Sequence, residues 1–236
     1  MKKIMILFIG FIMILSLTAC TNTNKERNSD AITFKEEYES LNGTTSSSGK
    51  KIRSITIDED NPIVYTTDSK IVEMVNNKET FVVYFGFAAC PWCRSVINNL
   101  IDAAKDLEID TIYYVDVLKI RDTIIVNEDD EVVTEVRGSR DYYKLLETFD
   151  KVLSDYTIKN KNNETIKTNE KRIYAPNIIS VVNGEVQTLT TGISEKQTDA
   201  YVLLTDEMKR ESYNKIKCTI RCVANAKNSC STDKMC

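Results

Sequence analysis

The chain has 236 residues, with 31 basic and 35 acidic side chains, seven cysteines and no histidine. Without an imidazole there can be no Ser–His–Asp triad, no Cys–His protease pair and no histidine-ligated zinc or haem. A net charge of −4 argues against a nucleic-acid binder, and 42% hydrophobic residues with only 7 Gly and 3 Pro argue for a cored domain.

Lys2 and Lys3 precede an apolar run, Ile4 to Leu17, broken only by Gly10 and Ser16. The run is shorter than the roughly 20 residues that span a bilayer and has the form of an export-signal core. Leu17-Thr18-Ala19-Cys20 follows. This resembles the lipobox of bacterial lipoproteins, which implies removal of residues 1–19, a diacylglyceryl group on Cys20 and a place on the extracytoplasmic face of the cell membrane. An ordinary signal peptide or an uncleaved anchor is the alternative. Two acyl chains, at about 0.8 kcal/mol per buried methylene, suffice for stable anchoring. Loss of Lys2 and Lys3 leaves 29 basic against 35 acidic residues, a net charge of −6, so lipid rather than charge would hold the chain. Residues 20–50 are polar, include the run Gly43-Thr44-Thr45-Ser46-Ser47-Ser48-Gly49, and read as a flexible tether with a short helical piece at Phe34–Leu41.

Ser54–Ile57 alternates like a short strand. Ser69 is placed to cap a helix over Lys70–Asn76, with Ile71, Val72 and Val75 inward. Thr80–Phe85 is β-branched and aromatic throughout and reads as a strand buried on both faces. Past Cys90-Pro91-Trp92-Cys93, residues Val96, Ile97, Leu100, Ile101, Ala104 and Leu107 recur at helical spacing, and Thr111–Val117 is a further strand. A hairpin is expected for Thr123–Val126 with Glu131–Val136, then a helix over Asp141–Asp155 and a polar turn at Asn160–Asn163. Another strand starts at Tyr174 and runs to Val182. Asn183-Gly184 predicts a type I′ turn returning through Val186–Thr190. Ser194-Glu195-Lys196-Gln197 has the form of a capping box opening a helix, and Thr205-Asp206-Glu207 could open another.

The chemistry centres on Cys90 and Cys93. A thiolate is the nucleophile of disulfide exchange, so the first cysteine should be exposed and ionise readily. A helix N-terminus favours the anion, Pro91 fits the first turn, and Arg94 adds a positive charge nearby. The two-residue spacer lets Cys93 reach the Cys90 sulfur and resolve a mixed disulfide. A structural disulfide or half of a zinc site is the alternative, although a zinc site would need a second ligand pair. We expect no metal and no cofactor.

The Phe81–Phe85 strand, Cys90–Cys93, Ala175-Pro176 ahead of a strand, Gly184, the return strand, Gly192 and a closing helix occur in the order of the thioredoxin superfamily, which the chain resembles over about Ile52–Arg210. The resemblance implies an α/β thioredoxin-like fold, a central mixed sheet flanked by helices. It implies a cis peptide before Pro176, with Ala175 pairing to an extended substrate and Trp92, between the cysteines, beside it. The chain also resembles thioredoxin-like lipoproteins of Gram-positive bacteria grouped with bacteriocin-transport accessory proteins. It departs in having Tyr84 where thioredoxin has a buried aspartate, and in a long insertion, 118–172, before the cis-proline strand. The resulting division is a signal peptide (1–19), a tether (20–50), a thioredoxin-like domain (51–210) and a Cys-rich helical tail (211–236).

In that tail Cys218, Cys222, Cys230 and Cys236 suggest two structural disulfides, nested as Cys218–Cys236 and Cys222–Cys230, over a second relay or a metal site. The functional expectation is a membrane-tethered thiol–disulfide oxidoreductase whose partners are thiols and disulfides of exported proteins and a further redox protein, with no nucleic acid. Oxidation, reduction and isomerisation all fit the motif. The rival is a non-catalytic thioredoxin scaffold that docks an exported client or transporter.

Overall fold

The computed structural model describes residues 29–227. Five strands form a mixed sheet in the order β1 (Ile63–Tyr65), β3 (Ile112–Asp116), β2 (Phe81–Gly86), β8 (Asn177–Val182), β9 (Glu185–Thr190). β1, β3 and β2 are parallel; β8 and β9 run antiparallel to their neighbours. All six residues of β2 are buried, as expected of a central strand covered on both faces. The period of two divides them: Val82 and Tyr84 join one core, Phe81, Val83 and Phe85 the other.

The first core is covered by α1 (29–39), α3 (Pro91–Asp106) and α5 (Asp206–Lys227), the second by α2 (Asp68–Asn76) and α4 (Arg140–Thr148). The chain is thus an α/β unit with a mixed central sheet between helical layers. β1 and β3 are joined to β2 by helical crossovers, α2 and α3, which parallel pairing requires. Asn183 and Gly184, both at positive φ (52° and 76°), make the tight β8–β9 turn.

Several expectations need correction. The supposed tether is folded from residue 29 onward: Ala31, Phe34 and Tyr38 on α1 are buried in the first core. Ser54–Ile57 is extended but joins no sheet. The Asn42 side chain instead takes the place of a neighbouring strand, donating to the Ile55 carbonyl (2.7 Å) and accepting from its N–H (3.0 Å), while Glu39 accepts from the Ile57 N–H (2.7 Å). Thr67, not Ser69, caps α2, accepting from the Lys70 N–H (3.2 Å).

The 118–172 segment contains the expected hairpin, β4 (Thr123–Val126) with β5 (Val132–Val136). The expected long helix stops at Thr148, because the alternating segment Asp155–Lys159 (β6) pairs with Thr165–Lys171 (β7) across the Asn160–Asn163 turn. Nor is the segment a mere appendage: Tyr142, Leu145 and Phe149 of α4 fill the second core. A buried ion pair between Arg172 and Asp122 closes the neck of the segment, and the Arg172 guanidinium lies 4.3 Å from the Tyr156 ring centroid.

Ser194–Gln197 is a turn, not a helix start. Its side chains are taken by tertiary partners: the Ser194 hydroxyl donates to Glu211 (2.5 Å) and the Gln197 amide to Ser95 (2.9 Å). The division at residue 210 falls inside α5, whose Ile216, Ile220 and Val223 belong to the first core.

Candidate functional site

β2 ends at Gly86, and Phe87 to Ala89 turn the chain into α3. Cys90 is the N-cap residue of α3 and Pro91 its first helical residue, where a missing N–H costs nothing. The Cys90 sulfur accepts from the Cys93 N–H at 3.2 Å, a capping bond usually made by a side-chain oxygen. From the far side, the carbonyl of Ala175 lies 3.4 Å from that sulfur and accepts its thiol proton. The Ala175–Pro176 peptide is cis, and the segment ahead of β8 adjoins the dithiol of α3, although 85 positions separate Cys90 from Ala175. Trp92 is half-buried against the first core.

Two features differ from expectation. Cys90 is only 3% exposed, because Ala175 and the α3 turn cover it. Arg94 does not face it: this side chain, 2% exposed, turns toward α1 and bonds the carbonyls of Arg53 (2.7 Å), Tyr38 (2.8 Å) and Ala88 (3.1 Å) and the Asn42 amide oxygen (2.7 Å). Among the described residues, Arg121 at the start of the 118–172 segment, 5.8 Å from the Phe87 ring centroid, is a cation whose charge favours the Cys90 thiolate.

The two thiols are poised differently. The Cys93 thiol donates to the Cys90 sulfur and holds its pKa below the ordinary thiol value against the cost of burial; the N–H groups of Cys93 and Trp92 and the Arg121 charge assist. Burial pushes Cys93 well up, and so does donating to Cys90. Behind Cys93 lies Tyr84, whose hydroxyl donates to its sulfur. The hydroxyls of Tyr84 and Tyr38 are 3.1 Å apart and buried. A hydroxyl has one proton, so when Tyr84 gives its own to Cys93 it accepts from Tyr38. Across the Tyr38–Tyr84 contact either hydroxyl can be the donor. Tyr84 also stacks on Tyr114 (centroids 5.6 Å apart), and Gly86 leaves room for the Tyr84 hydroxyl, which a Cβ at 86 would meet at 2.4 Å. An arrangement of this kind suits an outer thiolate that attacks and an inner thiol that follows.

Tyr38 and Arg121 escape a reading of the sequence. An apolar spacing of three and four along Ala31, Phe34 and Tyr38 is the one signal that could have placed α1 in the core. Cys218 and Cys222 lie one turn apart on α5, both half-buried, and Cys90 and Cys93 are not bridged to each other. The Cys222 thiol lies 3.2 Å from the Ser180 hydroxyl of β8. Their proposed partners Cys230 and Cys236, and the lipidation site Cys20, lie outside the described residues. Among the described residues no helix is long and apolar enough to cross a membrane. No protein-family model matches the chain, and no curated protein matches it.

Proposed function

We propose that the protein is a thiol–disulfide oxidoreductase of thioredoxin-like fold, tethered by a lipid on Cys20 to the outer face of the cell membrane and acting on exported proteins. The observation that carries this reading is the Cys90 sulfur, which caps α3, accepts from the Cys93 N–H at 3.2 Å and lies 3.4 Å from the Ala175 carbonyl. In the proposed reaction the Cys90 thiolate attacks one sulfur of a substrate disulfide and the other leaves as thiolate, which takes a proton from water. Cys93, losing its proton, then attacks the Cys90 sulfur. The Cys90–Cys93 disulfide forms as the second substrate thiol departs. The substrate is reduced by two electrons and the protein oxidised by two; the reverse sequence oxidises a substrate dithiol.

One observation favours the second reading, a non-catalytic scaffold that docks an exported client or transporter: Cys90 is nearly inaccessible, at 3% exposure. An aromatic disulfide, 5,5′-dithiobis(2-nitrobenzoate), separates the two. Attack by Cys90 releases one thionitrobenzoate and resolution by Cys93 a second. In chains with Cys218, Cys222, Cys230 and Cys236 replaced by serine, so that only the dithiol reports, the oxidoreductase gives both in sequence, with Cys90→Ser losing both and Cys93→Ser only the second. A dithiol that releases neither in the folded protein supports the scaffold and rejects the enzyme.

A further inference from the structure

A cleft of about 830 Å³ opens on the flank of α3, bounded by the extended segment 51–56 and the loop before α5. Its charged lining consists of Lys51, Arg53, Arg94 and Lys209; no Asp or Glu is among the residues that line it. The chain as a whole has more acidic than basic residues, so the cleft inverts the local sign.

The two guanidiniums are the telling feature. Arg94 is almost fully buried, and its acceptors are three backbone carbonyls and one amide oxygen. Arg53 donates only to the carbonyls of Ala200 (3.2 Å) and Val202, and its Nε is buried without an acceptor. Neither reaches a carboxylate among the described residues. Like charges so placed repel, and each guanidinium loses some affinity for its proton, chiefly by burial and for Arg94 also from the charge of Arg53. Arg94 further sits in the first turn of α3, where the helix dipole already favours negative charge. Of the remaining cations, Lys209 has a carboxylate at 3.3 Å, the highly exposed Asp206 one turn earlier on the same helix. Buried charges are ordinarily paired. Among the described residues neither the buried Arg94 nor the half-buried Arg53 faces a carboxylate, and an open cleft lies beside them.

We propose that the cleft binds a small organic anion, its phosphate or carboxylate group set among Arg53, Lys51 and Lys209 with Arg94 behind them. The volume falls within the roughly 300–1,000 Å³ of small-molecule sites and exceeds what an inorganic ion would fill. Asn98 and Asn99 of α3 offer amides to the rest of the molecule. This site is separate from the dithiol and does not depend on the redox reading.

The test is thermal unfolding of the full chain in detergent, titrated with inorganic phosphate or citrate against sodium chloride at matched ionic strength. A ligand that binds only the folded state raises the midpoint with its concentration relative to the dissociation constant. Both anions also stabilise proteins non-specifically, and substituted chains that keep this general effect control for it. Arg53→Gln and the double substitution Lys51→Gln/Lys209→Gln serve; the second alters only exposed lysines and guards against misfolding of the first. With phosphate, citrate or both, the native chain should show a larger rise than either substituted chain, and an apparent affinity at least tenfold tighter. Response to one anion alone assigns the phosphate or the carboxylate class. A native rise no larger than that of Lys51→Gln/Lys209→Gln, with both anions, overturns the proposal.

Discussion

The hydroxyls of Tyr38 on α1 and Tyr84 on β2 meet at 3.1 Å behind the inner cysteine. Among the described residues, the Cys93 sulfur thus has tyrosine hydroxyls rather than a carboxylate acting on it. A neutral donor cannot remove a proton at ordinary pH, since burial pushes both tyrosines well above their usual range. It can stabilise the thiolate once formed. Tyr84→Phe should therefore slow the second thionitrobenzoate release about tenfold, a hydrogen bond to a charged group being worth about 1.5–3 kcal/mol. Its pH midpoint should move upward, while the first release stays unchanged. Tyr38→Phe should act in the same direction but more weakly. An unaltered second phase in both variants would remove the tyrosines from the resolving step.

Cys90 is held below the ordinary thiol pKa, so its alkylation rate should rise with pH through a midpoint under the ~8.5 of a free cysteine. Arg121 contributes to that depression, and Arg121→Gln should raise the midpoint without changing the rate plateau at high pH. Iodoacetamide kinetics on Cys93→Ser and Cys93→Ser/Arg121→Gln measure this. Cys93→Ala, which removes the side-chain donor that serine would keep, should shift the midpoint upward relative to Cys93→Ser, because the donor from Cys93 is the leading cause.

Arg172 and Asp122 are a buried pair at the two ends of the 118–172 segment. Arg172→Met leaves a carboxylate in the interior without its cation and should cost about 3–5 kcal/mol in urea unfolding. Arg172→Met with Asp122→Leu should recover most of that loss, as replacing both partners with apolar groups is often neutral.

Phe34 is fully buried against Tyr38 and Tyr114, with ring centroids 4.4 and 5.0 Å apart. Phe34→Ala should cost about 3–5 kcal/mol by chemical denaturation. A change below about 1 kcal/mol would mean that α1 does not belong to the core.

The parts readable in the sequence are those fixed by neighbouring residues. Thr80–Phe85 could only be a covered strand, Cys90-Pro91 only the start of a helix, and Asn183-Gly184 only a tight turn. What stayed hidden depends on distant partners. Tyr38 and Tyr84 are 46 positions apart and neither flank announces the other. Phe34 and Tyr38 sit in a stretch polar enough to look unfolded, and only the sheet supplies the surface that burying them requires. Tyr156 continues the helical spacing of Leu145, Phe149 and Val152, which concealed that Asp155–Lys159 pairs with Thr165–Lys171. Arg94 turns away from Cys90 because Tyr38 at the end of α1, together with Arg53 and Ala88, offers it backbone carbonyls.

Docking of α1 bears on the proposed lipid anchor. In the sequence, residues 21–28 lie between Cys20 and the first residue of α1. Eight residues reach at most about 30 Å when fully stretched. If Cys20 carries the proposed lipid, that spacing would confine the domain to a thin shell above the bilayer, where polypeptides are met as they emerge rather than after release into the medium.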